Sequence, residues 1–281
     1  MSPADPRIRQ VLIAFGASQV PSDALEAAAE LAAALHVEVR ALLVEERWLE
    51  QLAEHPVTAE LCIGSRTVRA WDPDTLRLEM RARAEQVRRA VRALSESRGV
   101  PFSFEVMRGD VGTVLQSAGG AGVLTAFFAG GRSTFPVAAR SRVELAHVLR
   151  QARGFTLILR KGSVQRLPVL VYYSGSPAAR RALAVIGSLR RGRREVVRVL
   201  LPPADAETSM ALVAQVEEWR LEYGLRVVTQ QVASTKPLDL ARTLLEFRGH
   251  LIVLPAPAPV LRRNVVQSVL EGAAAVLVVR V

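Results

Sequence analysis

One glycine- and arginine-rich stretch has the residue types that could bind a phosphate group. Residues 127–142 read FFAGGRSTFPVAARSR, an apolar run followed by two glycines and then by hydroxyl and arginine side chains. Glycines after a strand let the backbone approach an anion, and free N–H groups at a helix N-terminus bind it. The candidate phosphate-binding residues of this stretch are Gly130, Gly131, Arg132, Ser133, Ser141 and Arg142.

The sequence contains none of the common catalytic or metal-binding motifs. A G-x-x-x-x-G-K-[ST] loop, an H-E-x-x-H pair, a G-x-S-x-G elbow and a C-x-x-C pair are all missing. The four histidines are scattered, and the single cysteine, Cys62, excludes an internal disulfide or a cysteine-based metal cluster. We therefore expect a protein that is not an enzyme, binds no metal and requires no cofactor.

The composition is that of a folded protein of about two domains. The chain has 281 residues, half of them hydrophobic. Its longest apolar runs fall short of the roughly 18 residues that a membrane span needs, and its first residues do not form a signal peptide. We expect a cytoplasmic protein.

The net charge of +10 is concentrated in the second half of the chain. Seven arginines lie within residues 180–198, together with one acidic residue, Glu195. A solvated helix end and turn explain this basic patch best. The alternative is that the patch attracts an anionic surface or nucleic acid, although we do not expect a nucleic-acid partner.

The two halves of the chain repeat one pattern. Residues 11–31 align with residues 169–189 without a gap, with six identities in 21 positions. Each segment is a short apolar run, a Gly/Ser turn and a stretch with helical spacing. Later matches at 123–131 with 250–258, and at 148–159 with 269–279, locate an insertion at about 47–76 in the first half. That insertion is polar and irregular, and contains Trp48 and Trp71.

This repeat predicts two domains, residues 1–163 and 164–281, each with alternating strands and helices. The predicted strands lie near 10–15, 37–44, 102–107, 123–128, 155–160, 168–173, 195–201, 225–232, 250–254 and 275–280. The predicted helices lie near 22–35, 76–98, 111–118, 142–152, 177–190, 207–223, 237–247 and 262–271. Continuously apolar strands separated by helices indicate an α/β fold with two doubly wound, Rossmann-like domains, each a five-stranded parallel sheet with helices on both faces.

These features together resemble the universal stress protein family, in its tandem two-domain form. The resemblance is carried in each half by the opening strand, turn and helix, and by the closing VLRQARGFTLILR and its counterpart. In the first half it is also carried by a fourth strand that leads into Gly-Arg-Ser. It implies a ligand crevice at the carboxyl ends of the strands. Members that bind nucleotides have G-x-x-G, nine residues and then G-[ST] after the fourth strand, and an acidic residue ending the first strand.

The first half departs from that nucleotide-binding pattern but retains part of it. Gly131 matches its second glycine, whereas Phe128 replaces the first and Ser141 with Arg142 replace G-[ST]. Gly16 occupies the acidic position, and Ser18 lies in the turn that follows. ATP or AMP could bind here, with Gly16 and Ser18 added to the six residues above.

The second half departs further. Its fourth strand leads into LPAPAPVLRRN, in which Pro255, Pro257 and Pro259 have no N–H to donate to a phosphate. Tyr172 and Tyr173 end its first strand, where they are either core residues or side chains that fill the crevice. We expect no phosphate cradle in this half.

The leading hypothesis is therefore a non-catalytic regulatory or stress-adaptation protein with degenerate nucleotide sites. The first alternative is an ATP/AMP sensor that uses the first domain alone, and the second is a protein that binds an anionic partner through residues 180–198. We expect an intramolecular pseudo-dimer of two separate sheets, in contact through strands 155–160 and 275–280. The resemblance also allows a homodimer. The insertion is expected to cover the first crevice or to contact another chain.

Overall fold

A computed structural model describes the greater part of the chain: residues 7–16, 22–45, 59–62, 67–70, 73–109, 111–128, 154–159, 164–247, 249–261, 268–270 and 272–280. The predicted helix at 142–152 lies outside the described residues, as do most of the predicted helix at 262–271 and most of the insertion. The same is true of most candidate phosphate-binding residues: Ser18, Gly130, Gly131, Arg132, Ser133, Ser141 and Arg142.

The apolar runs that predict strands form strands, within one or two residues at each end. In chain order the described strands are β1 (Gln10–Gly16), β2 (Glu38–Glu45), β3 (Ala59–Cys62), β4 (Thr67–Ala70), β5 (Phe102–Arg108), β6 (Val123–Phe128), β7 (Phe155–Leu159), β8 (Val169–Tyr172), β9 (Val196–Leu201), β10 (Arg226–Gln231), β11 (Leu251–Pro255) and β12 (Ala275–Val279).

The helices likewise follow the amphipathic segments. The described ones are α1 (Ser22–Leu35), α2 (Pro73–Arg98), α3 (Val111–Ala118), α4 (Pro177–Arg190), α5 (Ala206–Tyr223) and α6 (Pro237–Glu246), with short 3₁₀ helices at Val164–Arg166 and Pro259–Leu261. Helix α2 begins three residues earlier than predicted. Proline is favoured in the first turn, where its missing N–H would have no helical partner.

Ten strands form a single sheet in the order β10-β9-β8-β11-β12-β7-β6-β1-β2-β5. Each half supplies five parallel strands in the same relative order, with its first strand between its second and fourth. This is the doubly wound order predicted from the repeat. The halves meet where β7 and β12 pair antiparallel.

The expectation of two separate sheets is wrong, although the strands predicted to meet do meet. Every residue of β7 and of β12 is buried. A buried strand edge must satisfy its N–H and C=O groups, and here each edge does so by pairing with the other. Leu157 lies opposite Leu277 at the centre of the register, with Phe155 opposite Val279 and Leu159 opposite Ala275. A pseudo-twofold axis therefore relates β7 to β12 at this join.

The core has one apolar layer on each face of this sheet. One layer runs through both halves under α1, α2, α4 and α5, and α1 packs directly against α4 across the join. The other lies under α3, α6 and the 3₁₀ helix at Pro259–Leu261. The core is therefore continuous between the halves.

The described part of the insertion is regular, which corrects the expectation of an irregular segment. Strands β3 and β4 pair antiparallel as a two-stranded sheet of their own, with Ala59 opposite Ala70 and Cys62 opposite Thr67. A two-stranded sheet needs short alternating segments rather than a long apolar run, so its sequence signal is weak. Trp48 and Trp71 lie outside the described residues.

Candidate functional site

The first candidate crevice lies at the carboxyl ends of β1 and β6. These strands pair in parallel, from Gln10 with Val123 to Ile13 with Ala126, and so they end at the same edge of the sheet. Gly16 ends β1 and is paired with Val44 of β2. The strand order reverses between β1 and β6, which is where ligands bind in open α/β sheets. The structure thus brings Gly16 and the start of the 127–142 stretch to the same edge of the sheet.

Phe128 is the last residue of β6 and pairs with Leu159 of β7. The residue that replaces the family's first glycine therefore belongs to the strand itself. The other predicted phosphate-binding residues follow it in the chain, outside the described residues, so the structure does not show which of them meet.

The corresponding crevice of the second half begins with a tight turn after β8. Gly175 has φ of 73°, and a Cβ there would lie 2.8 Å from Leu212 Cδ2, so the turn requires glycine. Ser176 Oγ accepts a hydrogen bond from Ala179 N at 3.2 Å and caps α4, and Ser174 Oγ donates to Ser176 Oγ at 3.1 Å. Both hydroxyl groups thus have partners within the turn.

The other wall of this crevice, after β11, is apolar and folded into the core. Ala256 N donates to Val279 O at 2.7 Å, which continues the pairing of β11 with β12. Ala256, Ala258, Val260 and Leu261 are all buried in the layer under α6. Apolar side chains occupy the position where the family pattern would place a phosphate-binding loop.

Tyr172 and Tyr173 are core residues that face opposite sides of the sheet. They are 4% and 1% exposed, and belong to the two different apolar layers. Burial raises the pKa of the Tyr172 phenol. Tyr173 donates a hydrogen bond from its hydroxyl to Gln215 Oε1 at 2.5 Å. The alternation of a strand explains why adjacent tyrosines separate in this way.

This chain is similar to known proteins in structure rather than in sequence. No protein-family profile matches the sequence, and no curated protein sequence matches it. A universal stress protein from Archaeoglobus fulgidus is similar over 98% of this chain and 98% of its own, with a TM-score of 0.65 and 17% identity. The chain has the universal stress protein fold. A protein of unknown function from Pseudomonas aeruginosa is similar over 98% of this chain and 93% of its own, with a TM-score of 0.52 and 15% identity.

Within this universal stress protein fold, the basic patch of residues 180–198 is largely engaged by the protein itself. Arg190 is 3% exposed and donates to the backbone carbonyls of Val164, Gln165 and Leu167. Burial lowers the pKa of its guanidinium, and Arg193 adds to that effect. Arg193 donates to Gln165 O at 2.9 Å. These two arginines hold the segment that joins the halves.

Two further arginines of the patch lie over aromatic rings. Arg191 is 5.3 Å from the centroid of Tyr223, and Arg198 is 5.8 Å from that of Phe247. The prediction of a plain solvated helix end is therefore too simple, since adjacent arginines have different roles. Sequence composition has no signal that separates buried Arg190 from exposed Arg191.

A cavity of about 670 Å³ lies between the halves and was not predicted from the sequence. Helices α4 and α5 form its walls, and Arg7, Ile8 and Leu35 of the first half contribute to its lining. Its aromatic residues are Tyr173, Trp219 and Tyr223. These residues are far apart in the sequence, so no local motif marks them.

The described residues hold no group of three His, Cys, Asp or Glu side chains placed to bind a metal ion. None of the described helices is long and apolar enough to span a membrane.

Proposed function

We propose that this chain is a non-catalytic regulatory or stress-adaptation protein of the universal stress protein type, with degenerate nucleotide sites. The observation that carries the proposal is the segment after β11, where Ala256, Ala258, Val260 and Leu261 are buried in the core. A phosphate-binding loop must instead direct backbone N–H groups toward a solvent-accessible anion.

The energetic cost of this change is large for a triphosphate ligand. Each charge-assisted hydrogen bond to a phosphate contributes about 1.5–3 kcal/mol. Three prolines in the second half cannot donate, and Gly is replaced at 128 and 141 in the first. We expect affinity for ATP to be weaker than millimolar in the second half and marginal in the first. The protein would then act through contacts with other macromolecules rather than through a reaction.

Calorimetric titration of the full-length protein with ATP and with AMP tests this proposal. We expect no binding in the micromolar range, and mass spectrometry of small molecules released from the purified protein should find no nucleotide. Tight, stoichiometric binding would contradict degenerate sites.

One observation favours the first alternative, an ATP/AMP sensor that uses the first half alone. Gly16 lies at the same sheet edge as the start of the loop that contains Gly130, Gly131, Arg132 and Ser133. Micromolar binding that is abolished by Gly131→Val would establish this alternative. Gly120→Val is the matched control, because a Cβ at Gly120 meets nothing within 4 Å. Binding that survives Gly131→Val would overturn the site at this loop.

The second alternative, an anionic partner at residues 180–198, is weakened by the internal contacts of Arg190 and Arg193. Its test is binding to nucleic acid or anionic lipid vesicles that falls steeply as salt rises. The cytoplasmic location and the domain boundary at 163/164 are proposals that rest on the sequence.

A further inference from the structure

The single sheet ends in two edge strands, β5 and β10, and charge protects β5 from pairing with a further strand. In the described part of the chain, each of these strands has a neighbour on one side alone. A full-length antiparallel pairing of two β5 strands would place Glu105 opposite its own copy, and like charges directly opposite one another destabilise a sheet. Glu105 is also bound within its own chain, by Arg40 Nη2 at 2.7 Å. Charged side chains are a common protection of edge strands.

Strand β10 lacks these protections. Its sequence, RVVTQQ, contains no proline, and its one charged residue is Arg226 at the start. All six residues pair with β9 in one uninterrupted register, so no bulge bends the strand away. Just beyond β10, Val232 N donates to Leu201 O of β9. Alternate residues of a strand bond to opposite sides, so Val227 and Thr229 direct their N–H and C=O groups away from the sheet.

Helix α5 carries exposed apolar side chains on the side that lies beside β10. Gln231 Nε2 donates to Ser209 Oγ at 3.2 Å, which identifies this side of the helix. Val213 lies one turn from Ser209 and is 43% exposed, and Met210 and Leu221 continue the same stripe with 68% and 65% exposed. The opposite side of α5 lines the cavity beside α4. The apolar stripe and the open strand edge are therefore adjacent.

The charges on this side of α5 are balanced within the chain. Glu217 lies on the stripe between Val213 and Leu221, and its Oε1 is 2.6 Å from Arg220 Nη2. A strongly acidic or basic partner would find no complementary charge here. A second copy of the same surface would meet neither net attraction nor net repulsion, and so its apolar side chains would decide the contact.

The β10 edge is complementary to itself. In an antiparallel pairing centred on Thr229, this residue lies opposite its own copy and Val227 lies opposite Gln231 of the second copy, so no like charges meet. The chain already contains such an arrangement, because β7 and β12 pair antiparallel and α1 packs against α4 across that join. Helix α5 covers the same face of the sheet as α1 and α4. The same geometry at β10 would bring α5 against α5 of the second copy.

We propose that this edge is a dimerisation surface, at which β10 pairs antiparallel with β10 of a second copy and the stripe of Met210, Val213 and Leu221 packs against the second copy's α5. Two ten-stranded sheets would then become one continuous sheet. The pairing would satisfy the outward backbone groups, and the helix contact would remove exposed apolar surface from water.

Sedimentation equilibrium of the full-length protein over a range of concentrations tests the proposal. We expect a dimer with a Kd of about 10 μM or tighter. A protein that stays monomeric at concentrations about tenfold above this value would overturn the proposal and leave the edge to a different partner.

Two variants locate the surface. Met210→Lys places a charge within the apolar contact and should weaken the dimer by at least about tenfold. Thr229→Pro removes an outward N–H at the centre of the strand pairing and should weaken the dimer by about tenfold. A dimer whose affinity either variant leaves unchanged would refute the proposed surface.

The other edge of the sheet supplies matched controls. Leu78, on α2, is 64% exposed, close to the value for Met210. Val106 of β5 directs its backbone groups away from β2, because Gly109 N, three residues on, donates to Glu45 O of β2. Leu78→Lys and Val106→Pro should leave the dimer affinity unchanged, and thermal unfolding verifies that all four variants fold. Loss of the dimer in either control would place the interface at β5 and overturn the proposal.

Discussion

The segments that precede the first strand of each half lie at equivalent places in the repeat and are used differently. Val11 aligns with Val169, so Arg7 and Ile8 align with Gln165 and Arg166. Gln165 donates to Glu30 O of α1 at 2.7 Å, and its own carbonyl accepts from Arg190 and Arg193. Arg7 and Ile8 instead line an open cavity beside α4.

The difference shows which parts of a repeat remain symmetric. At the β7–β12 join, the hydrogen-bond register relates the two strands by a twofold axis, because backbone groups leave little freedom. In the segments that precede β1 and β8, side chains take part in the contacts. The segment before β8 is therefore held by Arg190 and Arg193, whereas the segment before β1 borders a cavity. The two halves are thus symmetric where backbone groups pair, at β7 and β12, and asymmetric where side-chain contacts differ, before β1 and β8.

Substitutions in the pairing of β7 with β12 are expected to have the largest effects on stability. Leu157→Ala and Leu277→Ala each remove a buried side chain at the centre of the join, and should each lower the free energy of unfolding by about 3 kcal/mol. Urea unfolding measures both. The twofold register predicts similar losses, so values that differ by more than about 2 kcal/mol would break the symmetry argument.

Substitution of Arg190, which binds the segment before β8, should lower the free energy of unfolding by a smaller amount. Arg190→Gln removes a buried cation that donates to three carbonyls, and should lower the free energy of unfolding by about 2 kcal/mol. Arg191→Gln is the matched control: it removes the neighbouring exposed arginine and its contact with Tyr223, and should cost about 0.5 kcal/mol. Equal losses in the two variants would show that the joint does not stabilise the fold. Chemical denaturation at constant pH is the measurement.

The smallest expected effect concerns the two capped helices of the second half. Asp205 Oδ1 accepts a hydrogen bond from Thr208 N at 2.8 Å at the start of α5, and this lowers the pKa of Asp205. A lowered pKa in the folded state stabilises the protein above the ordinary carboxyl pKa, and this contribution is lost as pH falls through the folded value. Ser176, the cap of α4, does not titrate.

Thermal unfolding at pH 6 and pH 3 should therefore show that Asp205→Ala has a smaller effect on stability at the lower pH, whereas Ser176→Ala keeps its effect. An effect of Asp205→Ala that is the same at both pH values would exclude a role for the carboxylate charge.

The sequence predicts the elements well because each leaves a local periodic signal. The run that becomes β11 is continuously apolar, and the stripe from Met80 to Val91 marks the buried face of α2. Joining of the two sheets is not predictable in this way, since pairing between β7 and β12 uses backbone groups that every residue carries. The hairpin of β3 and β4 is missed because four-residue strands are too short for a periodic signal.

The candidate site is harder to predict from the sequence than the fold. The apolar run of the first strand predicts that it ends close to Gly16, and β1 does end there, whereas a role for Gly16 in binding stays a prediction. The cavity, by contrast, depends on Arg180, Trp219 and Ile8, which meet only after the halves have joined. Tyr172 and Tyr173 fall between these cases, because strand alternation predicts their opposite directions once the strand is known.

The antiparallel pairing of β7 with β12 also determines the directions in which the two candidate crevices open. Strands are parallel within each half, so the carboxyl ends of β1 and β8 point to opposite edges of the sheet. Five strand spacings separate β1 from β8, a lateral distance of about 24 Å. The two candidate crevices therefore open at opposite edges of one sheet and share no strand end.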